Sequence, residues 1–159
     1  MQPIGLIHTQ YHRLDNMPIQ SMHEAASPGR IVLDRAYQDG LTDLEGFSHL
    51  YLIYLFHLSH DYDLMVRPFL DKLAHGVFAT RAPRRPNPIG LSIVQLQSVH
   101  DNIIKFTGAD MIDGTPLLDI KPYVESFDHV TQAKSGWVTT SSDRIKKTRS
   151  DRRFIESDD

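Results

Sequence analysis

The sequence contains no cysteine and no long apolar run, and these two absences exclude several classes of protein. Without cysteine there is no disulfide, no thiolate nucleophile and no zinc site with sulfur ligands. No stretch approaches the roughly 18 apolar residues of a membrane-spanning helix, and the first residues lack the charged-then-apolar pattern of a secretory signal. We therefore expect a cytoplasmic protein that does not engage a membrane.

Excess positive charge is also missing. Lys and Arg total 17 against 20 Asp and Glu, a formal net charge of -3, which argues against a protein that coats nucleic acid by charge alone. The cations are concentrated, however, in Arg81–Arg85 and in Arg144–Arg153. These local patches of positive charge can therefore still bind phosphate groups. Residues 139–159 are predicted to form a basic, mobile tail, whose removal after Ser142 should spare cofactor binding and weaken RNA binding at low salt.

Two kinds of ligand site are not indicated either. No G-x-G-x-x-G motif follows any candidate strand, so a dinucleotide-binding loop of the Rossmann type is absent. The nine histidines include the close pairs His8 with His12 and His57 with His60. Neither pair has acidic partners in a metal-binding pattern, so we predict no metal site.

What the sequence does contain is a series of short apolar runs separated by Gly, Pro, Asp and Asn. Its 159 residues, 40% of them hydrophobic, suit one domain. The runs favour an all-β fold, a barrel or a sandwich, with short helical turns. A buried helix is the alternative for the nearly continuous run His49–His57. The predicted strands are Pro3–Thr9, Arg30–Asp34, His49–His57, Gly76–Thr80, Leu91–Val99, Ile103–Thr107, Ala109–Ile112 and Leu117–Ile120.

The most unusual stretch is Gly76–Ser92, G-V-F-A-T-R-A-P-R-R-P-N-P-I-G-L-S. Proline fixes its own φ and restricts the preceding residue, so the connector should be stiff and extended. A stiff loop holds guanidinium groups at little ordering cost, and arginine suits carboxylate or phosphate. These features favour a ligand contact; the alternative is an exposed loop with fortuitous arginines.

Two further segments carry polar groups next to apolar strands. In Ala109–Tyr123, Asp113-Gly114 is a tight-turn signal, and taken alone the segment predicts an ordinary hairpin. In Leu44–His57, polar residues border an apolar strand and must find partners, either in the core or in a site.

Together these motifs resemble the TrmO/TsaA-like family. F-S-H-L, G-V-F-A-T-R…R-P-N-P-I-G and D-G-T-P-L-L-D-I-K-P-Y occur in that order, after an opening P-I-G-L-I-H-T, over roughly Pro3 to Asp128. The resemblance implies a compact non-Rossmann β-barrel (residues 3–138), homodimeric, that binds S-adenosylmethionine. It further implies methylation of N6 of threonylcarbamoyl-adenine at position 37, in the tRNA anticodon loop. The chain resembles a short form, without the further C-terminal region of longer bacterial members.

The resemblance also implies a set of cofactor contacts, carried over motif by motif. Family members commonly carry an arginine where this chain has Ile19, so a contact there would be through the backbone. The implied cofactor-binding residues are Ile19, Gln20, His57, Leu58, Arg81, Leu91, Asp113, Gly114, Thr115, Pro116 and Leu117.

Catalysis by such a protein requires alignment of the acceptor nitrogen and a destination for its proton. Asn87, in N-P-I-G, is locally similar to the motif with which unrelated adenine methyltransferases hold the amine, and Asp113, His57 and Asp110 are the other candidates. An RNA nucleobase could stack on Tyr51, Tyr54 or Tyr123, although core packing suits the first two as well. The alternatives are a non-catalytic barrel that binds cofactor or RNA, and a methyltransferase with another RNA or a small molecule as acceptor.

Overall fold

A computed structural model describes residues 1–21, 27–151, 153 and 154, and its main feature is a closed antiparallel barrel. The strands are β1 (Gly5–Thr9), β2 (Pro28–Leu33), β3 (His49–Leu55), β4 (Met65–Val66), β5 (His75–Gly76), β6 (Ile89–His100), β7 (Ile103–Thr107) and β8 (Thr115–Pro122). The six barrel strands follow the order β1-β2-β7-β6-β3-β8, and β8 pairs with β1 to complete the ring. The predicted all-β barrel is confirmed. The helices are α1 (Glu125–Asp128) and α2 (Ser142–Lys147), with 3-10 helices at Arg35–Leu41, Leu44–Gly46 and Val77–Ala79.

Alternation of side chains along the strands fills the barrel interior. In β3, Leu50, Leu52 and Tyr54 are buried, while the residues between them are half-buried on the outer face. The run His49–His57 is therefore a strand and not a helix, and it ends at Leu55. The interior is filled by the side chains of Ile7, Ile31, Leu33, Leu50, Leu52, Tyr54, Val94, Ile104, Phe106, Ala109, Met111 and Leu117.

A small unit beside the barrel consists of the paired strands β4 and β5 and the 3-10 turn that follows them. Val66, Val77 and Ala82 form its own apolar cluster. Trp137 covers this unit: its ring stacks on His75 at a centroid distance of 4.3 Å, and its Nε1–H donates to the Ala79 carbonyl.

Two predicted strands are wrong. Gly76–Thr80 is a strand only at Gly76, because Val77 turns into the small apolar cluster and the chain continues as a 3-10 helix. Ala109–Ile112 is irregular. Gly108, at φ +91°, turns the chain out of β7, and the Gly108 and Ala109 N–H groups both donate to the Ser27 carbonyl. The apolar pattern of this second segment reflects burial in the core and not sheet pairing.

The turn at Asp113-Gly114 is confirmed, with Gly114 at φ +77°, but the hairpin around it is wrong. The turn leads directly into β8, which pairs with β1 and β3. A two-stranded hairpin would need a strand immediately before the turn, and that segment is the irregular one.

In the tail, α2 is capped by Ser141, and the mobility assigned to residues 139–159 stays a prediction. No helix in the described part of the chain is long and apolar enough to cross a membrane.

Candidate functional site

A cavity of about 330 Å³ opens at the end of the barrel where β3 ends and β6 and β8 begin. Its volume is at the low end of the range for small-molecule sites, about 300–1,000 Å³. Its lining residues come from five chain segments and from Phe69; the segments are residues 14–20, 54–59, 80–91, 110–115, and 150, 151 and 154. Because these segments are far apart in sequence, the cavity exists only once the barrel has closed.

Asp110 lies in this cavity with its carboxylate held from behind. The Ser92 hydroxyl donates to Asp110 Oδ1 at 2.7 Å, and the Tyr54 hydroxyl lies 3.0 Å from the Ser92 oxygen. Burial raises the pKa of Asp110 to about 6, although hydrogen bonds from Ser92 and the Ser21 backbone and the charge of Arg81 oppose the rise. A carboxyl group with such a pKa takes up and releases protons near neutral pH.

Arg81 brings a positive charge to the same cavity. Its Nη1 donates to Gln20 Oε1 at 2.8 Å, so two residues that are 61 positions apart meet at the site. The neighbouring arginines stabilise the loop: Arg84 pairs with Asp63, and Arg85 donates to the carbonyls of Val77 and Thr80. The loop that the prolines predict to be stiff therefore presents Arg81, while the other two guanidinium groups anchor the loop, one to a carboxylate and one to backbone carbonyls.

His57 follows β3 at the rim of the cavity. Its Nδ1 is buried, and in the described part of the chain it is the one buried side-chain nitrogen or oxygen without a hydrogen-bond partner. A buried polar atom of this kind costs free energy unless a partner is supplied. Leu58 and Leu91 also line the cavity, and each is about half exposed.

Seven of the eleven predicted cofactor residues line the cavity: Ile19, Gln20, His57, Leu58, Arg81, Leu91 and Thr115. The other four, Asp113, Gly114, Pro116 and Leu117, lie outside its lining. Leu117 is fully buried in the barrel core. Cofactor contacts by all eleven residues stay a prediction.

The Asp113 carboxylate makes hydrogen bonds that stabilise the fold. Its Oδ1 accepts from the Thr9 N–H at 3.0 Å and lies 3.2 Å from His8 Nδ1. Desolvation acts to raise the pKa of Asp113, but these hydrogen bonds outweigh it and hold the pKa below its usual value. His12 also approaches this carboxylate, yet the described residues contain no group of three or more ligands that could hold a metal.

Some of the catalytic candidates line the cavity and others do not. Asn87 is exposed and outside the cavity lining, whereas His57 and Asp110 are in it.

Sequence reasoning missed Ser92, whose hydroxyl donates a hydrogen bond to Asp110. The sequence did contain a signal for Ser92. Every second residue of β6, at positions 90, 92 and 94, faces the barrel interior, and a hydroxyl on that face needs a polar partner. Sequence reasoning also missed Ser150, Asp151 and Phe154 of the tail, for which no sequence signal existed.

The family model of the tRNA-methyltransferase O N-terminal domain matches residues 6–129. The chain belongs to this family. The match contains the barrel strands, apart from the first residue of β1, and most of the residues that line the cavity.

Similar proteins agree with this assignment. A protein of Pyrococcus abyssi, named a probable S-adenosyl-L-methionine-binding protein, is 43% identical over 97% of this chain and 84% of its own length. The human tRNA (adenine(37)-N6)-methyltransferase is 34% identical over 80% of this chain and 30% of its own length. The crystal structure of TrmO from Pseudomonas aeruginosa superposes with a TM-score of 0.75 at 36% identity, over 87% of this chain and 62% of that one. The chain thus spans most of the archaeal protein but under two thirds of the other two.

Proposed function

We propose that this chain is an S-adenosylmethionine-dependent methyltransferase that acts on N6 of threonylcarbamoyl-adenine at position 37 of tRNA. One observation carries the proposal: in a chain of this family, an anionic Asp110 and a cationic Arg81 line a single cavity. The names of the relatives support both halves of it, the cofactor and the tRNA adenine.

The residues of the cavity fit the cofactor. S-adenosylmethionine carries a carboxylate and an ammonium group at one end and an apolar-faced adenine at the other. Arg81 suits the carboxylate, because a guanidinium donates to carboxylates through a planar fork. Phe56, Ile89 and Met111 offer apolar contact to the adenine, and the unpartnered Nδ1 of His57 offers one more polar contact.

When bound, the cofactor supplies a methyl group on a sulfonium, an excellent leaving group for in-line displacement. In that displacement a bond from N6 to the methyl carbon would replace the C–S bond, and N6 would lose one proton. We assign the acceptance of that proton to Asp110, which becomes a carboxylic acid and then returns the proton to water. Its cavity position and its pKa of about 6 support this role, because the carboxylate is ionised at neutral pH. The Ser92 hydroxyl orients the carboxylate.

A second candidate function is a barrel that binds the cofactor without turnover. It is favoured by the name of the archaeal relative, which mentions binding only. A third keeps the enzyme and changes the acceptor to another RNA or a small molecule. All three share the cavity, so only a measurement of the methylated product separates them.

The proposal includes a cytoplasmic homodimer that recognises the anticodon loop. On the outer face of the barrel, the Tyr51 and Tyr123 rings lie 5.7 Å apart and His49 packs edge-on against Tyr123. This aromatic surface is our proposed interface. A monomer mass that stays constant with concentration in sedimentation would remove the dimer from the proposal.

The deciding experiment combines the purified chain, S-adenosylmethionine with a labelled methyl group, and tRNA from cells that lack the gene. We expect label in the threonylcarbamoyl-adenosine nucleoside, identified by mass spectrometry. Label in a different nucleoside contradicts the acceptor. Saturable cofactor binding without transfer to any RNA supports the binding barrel instead.

A further inference from the structure

Residues 149–151, 153 and 154 lie along one side of the cavity, and we call these residues the strap. Ser150, Asp151 and Phe154 line the cavity, although all of them lie beyond residue 129, where the family match ends. The similarity to the Pyrococcus protein covers 97% of the chain and so continues well past that point.

At its first end the strap is bound to the loop that leads to Ile19 and Gln20. The Ser150 N–H donates to the Met17 carbonyl at 2.9 Å, and the Asn16 N–H donates to the Ser150 carbonyl at 2.8 Å. The Ser150 hydroxyl adds two further bonds: it donates to the Leu14 carbonyl at 2.7 Å and accepts from the Met17 N–H at 2.9 Å. Four hydrogen bonds through one serine fix this loop to the strap.

At its other end the strap is bound to the small unit beside the barrel. The Phe154 ring packs edge-on against Phe69, with the centroids 5.2 Å apart, and joins the cluster of Val66, Val77 and Ala82. The Arg153 guanidinium lies 4.9 Å from the centre of the Phe69 ring and donates to the Pro68 carbonyl at 2.9 Å. Apolar contact and a cation over an aromatic ring together anchor the segment.

The strap therefore connects the two sides from which Gln20 and Arg81 reach the cavity. Gln20 follows the loop bound by Ser150, and Arg81 follows the 3-10 helix of the small unit. The hydrogen bond between their side chains spans this junction. Without the strap, the loop 14–20 would lose the four hydrogen bonds made by Ser150.

We propose that the strap completes the ligand cavity, with Phe154 as a binding residue and Ser150 as a positioning residue for Gln20. The inference rests on the proposed function for the identity of the ligand, S-adenosylmethionine. It reverses the sequence-based expectation that the tail after Ser142 has no part in cofactor binding. A cofactor-binding chain of this kind needs residues outside the family domain.

The binding test compares Phe154→Ala with a matched control, Phe127→Ala, in the full chain. Phe127 is 74% exposed and is not part of the cavity lining, so both variants lose a phenyl ring but only Phe154→Ala loses a lining side chain. Calorimetry with S-adenosylmethionine and with its demethylated product should give a Kd about 10-fold higher for Phe154→Ala and about unchanged for Phe127→Ala. Equal affinities for the two variants, with folded protein by circular dichroism, overturn the inference.

A second measurement does not depend on the ligand. Amide hydrogen exchange of the wild-type chain should show protection of Asn16, Met17 and Ser150, the three N–H donors at the junction. Ser150→Ala should reduce the protection of Met17, and Ser135→Ala, at an exposed position before the tail, is its control. Unprotected amides at these positions overturn the strap whatever the ligand is. Protected amides in a chain that binds no S-adenosylmethionine support the docked strap and contradict the proposed function.

Discussion

Arg81 and Gln20 form a hydrogen bond of 2.8 Å across the cavity, although 61 positions separate them in the chain. The guanidinium donates and the amide oxygen accepts. The amide oxygen thereby holds the guanidinium in the cavity, where its remaining N–H groups can donate to a carboxylate. Preorganisation of this kind lowers the ordering cost of binding.

Replacement of this arginine should weaken the cofactor site itself. We expect Arg81→Ala to raise the Kd for S-adenosylmethionine about 10- to 150-fold, the effect of losing a charge-assisted hydrogen bond worth about 1.5–3 kcal/mol. Arg35→Ala removes the same charge from an exposed turn outside the cavity and should leave the Kd unchanged. Calorimetry measures both. Normal binding by Arg81→Ala would contradict the assigned contact.

The pH dependence of methyl transfer should follow Asp110. Because the carboxylate is the active form and its pKa is about 6, kcat/KM should rise as pH increases through 6 and then level off. Asp110→Asn should keep its fold and lose both the turnover and this rising limb. A pH–rate profile of the two proteins decides the point, and turnover by Asp110→Asn with an unchanged profile rules the role out.

Methyl transfer should increase with pH, whereas the stability that Asp110 contributes should decrease. Its pKa is raised in the folded chain, so the stability linked to it is complete below about pH 4 and is lost as pH rises through 6. At pH 8, Asp110→Asn should therefore raise the free energy of unfolding, by about 1–3 kcal/mol. Urea melts at pH 4 and pH 8 measure the difference. A variant that is less stable than wild type at pH 8 contradicts the burial argument.

Gly90 should not tolerate a side chain. A Cβ at this position would overlap the ring of Tyr54, whose hydroxyl is hydrogen-bonded to Ser92 behind Asp110. Gly90→Ala should lower the free energy of unfolding by about 1–3 kcal/mol and disturb the cavity wall. Gly40→Ala, with no atom near the added carbon, is the matched control. Thermal melts should show a lower Tm for the first variant alone.

Asp113 should act mainly through the fold. Its pKa is lowered in the folded chain, so it stabilises above the ordinary carboxyl pKa and this stability is lost as pH falls. We expect Asp113→Ala to lower the Tm at neutral pH, to remove part of the loss of stability in acid, and to change the cofactor Kd less than Arg81→Ala does. A Kd effect as large as that of Arg81→Ala would return Asp113 to the cofactor site.

The strands could be predicted wherever alternation along the chain decided burial. Ile103–Thr107 was predicted with its observed bounds, and His49–His57 ends only two residues late. Prediction failed at Ala109–Ile112, where the residues are buried without pairing in a sheet. Periodicity reports which side chains leave water, and an irregular buried segment produces the same signal as a strand.

For the site, the sequence by itself determined the family, through long motifs in fixed order, and with it seven residues that line the cavity. It also determined the stiffness of the loop that presents Arg81, because proline acts locally. The tertiary structure alone decided that Asp110 lies in the cavity, with Ser92 behind it, and that Asp113 lies outside the cavity. It alone brought Ser150 to Met17 across 133 positions. Such contacts depend on where distant segments meet after the barrel closes, and no local pattern of residue types encodes that meeting.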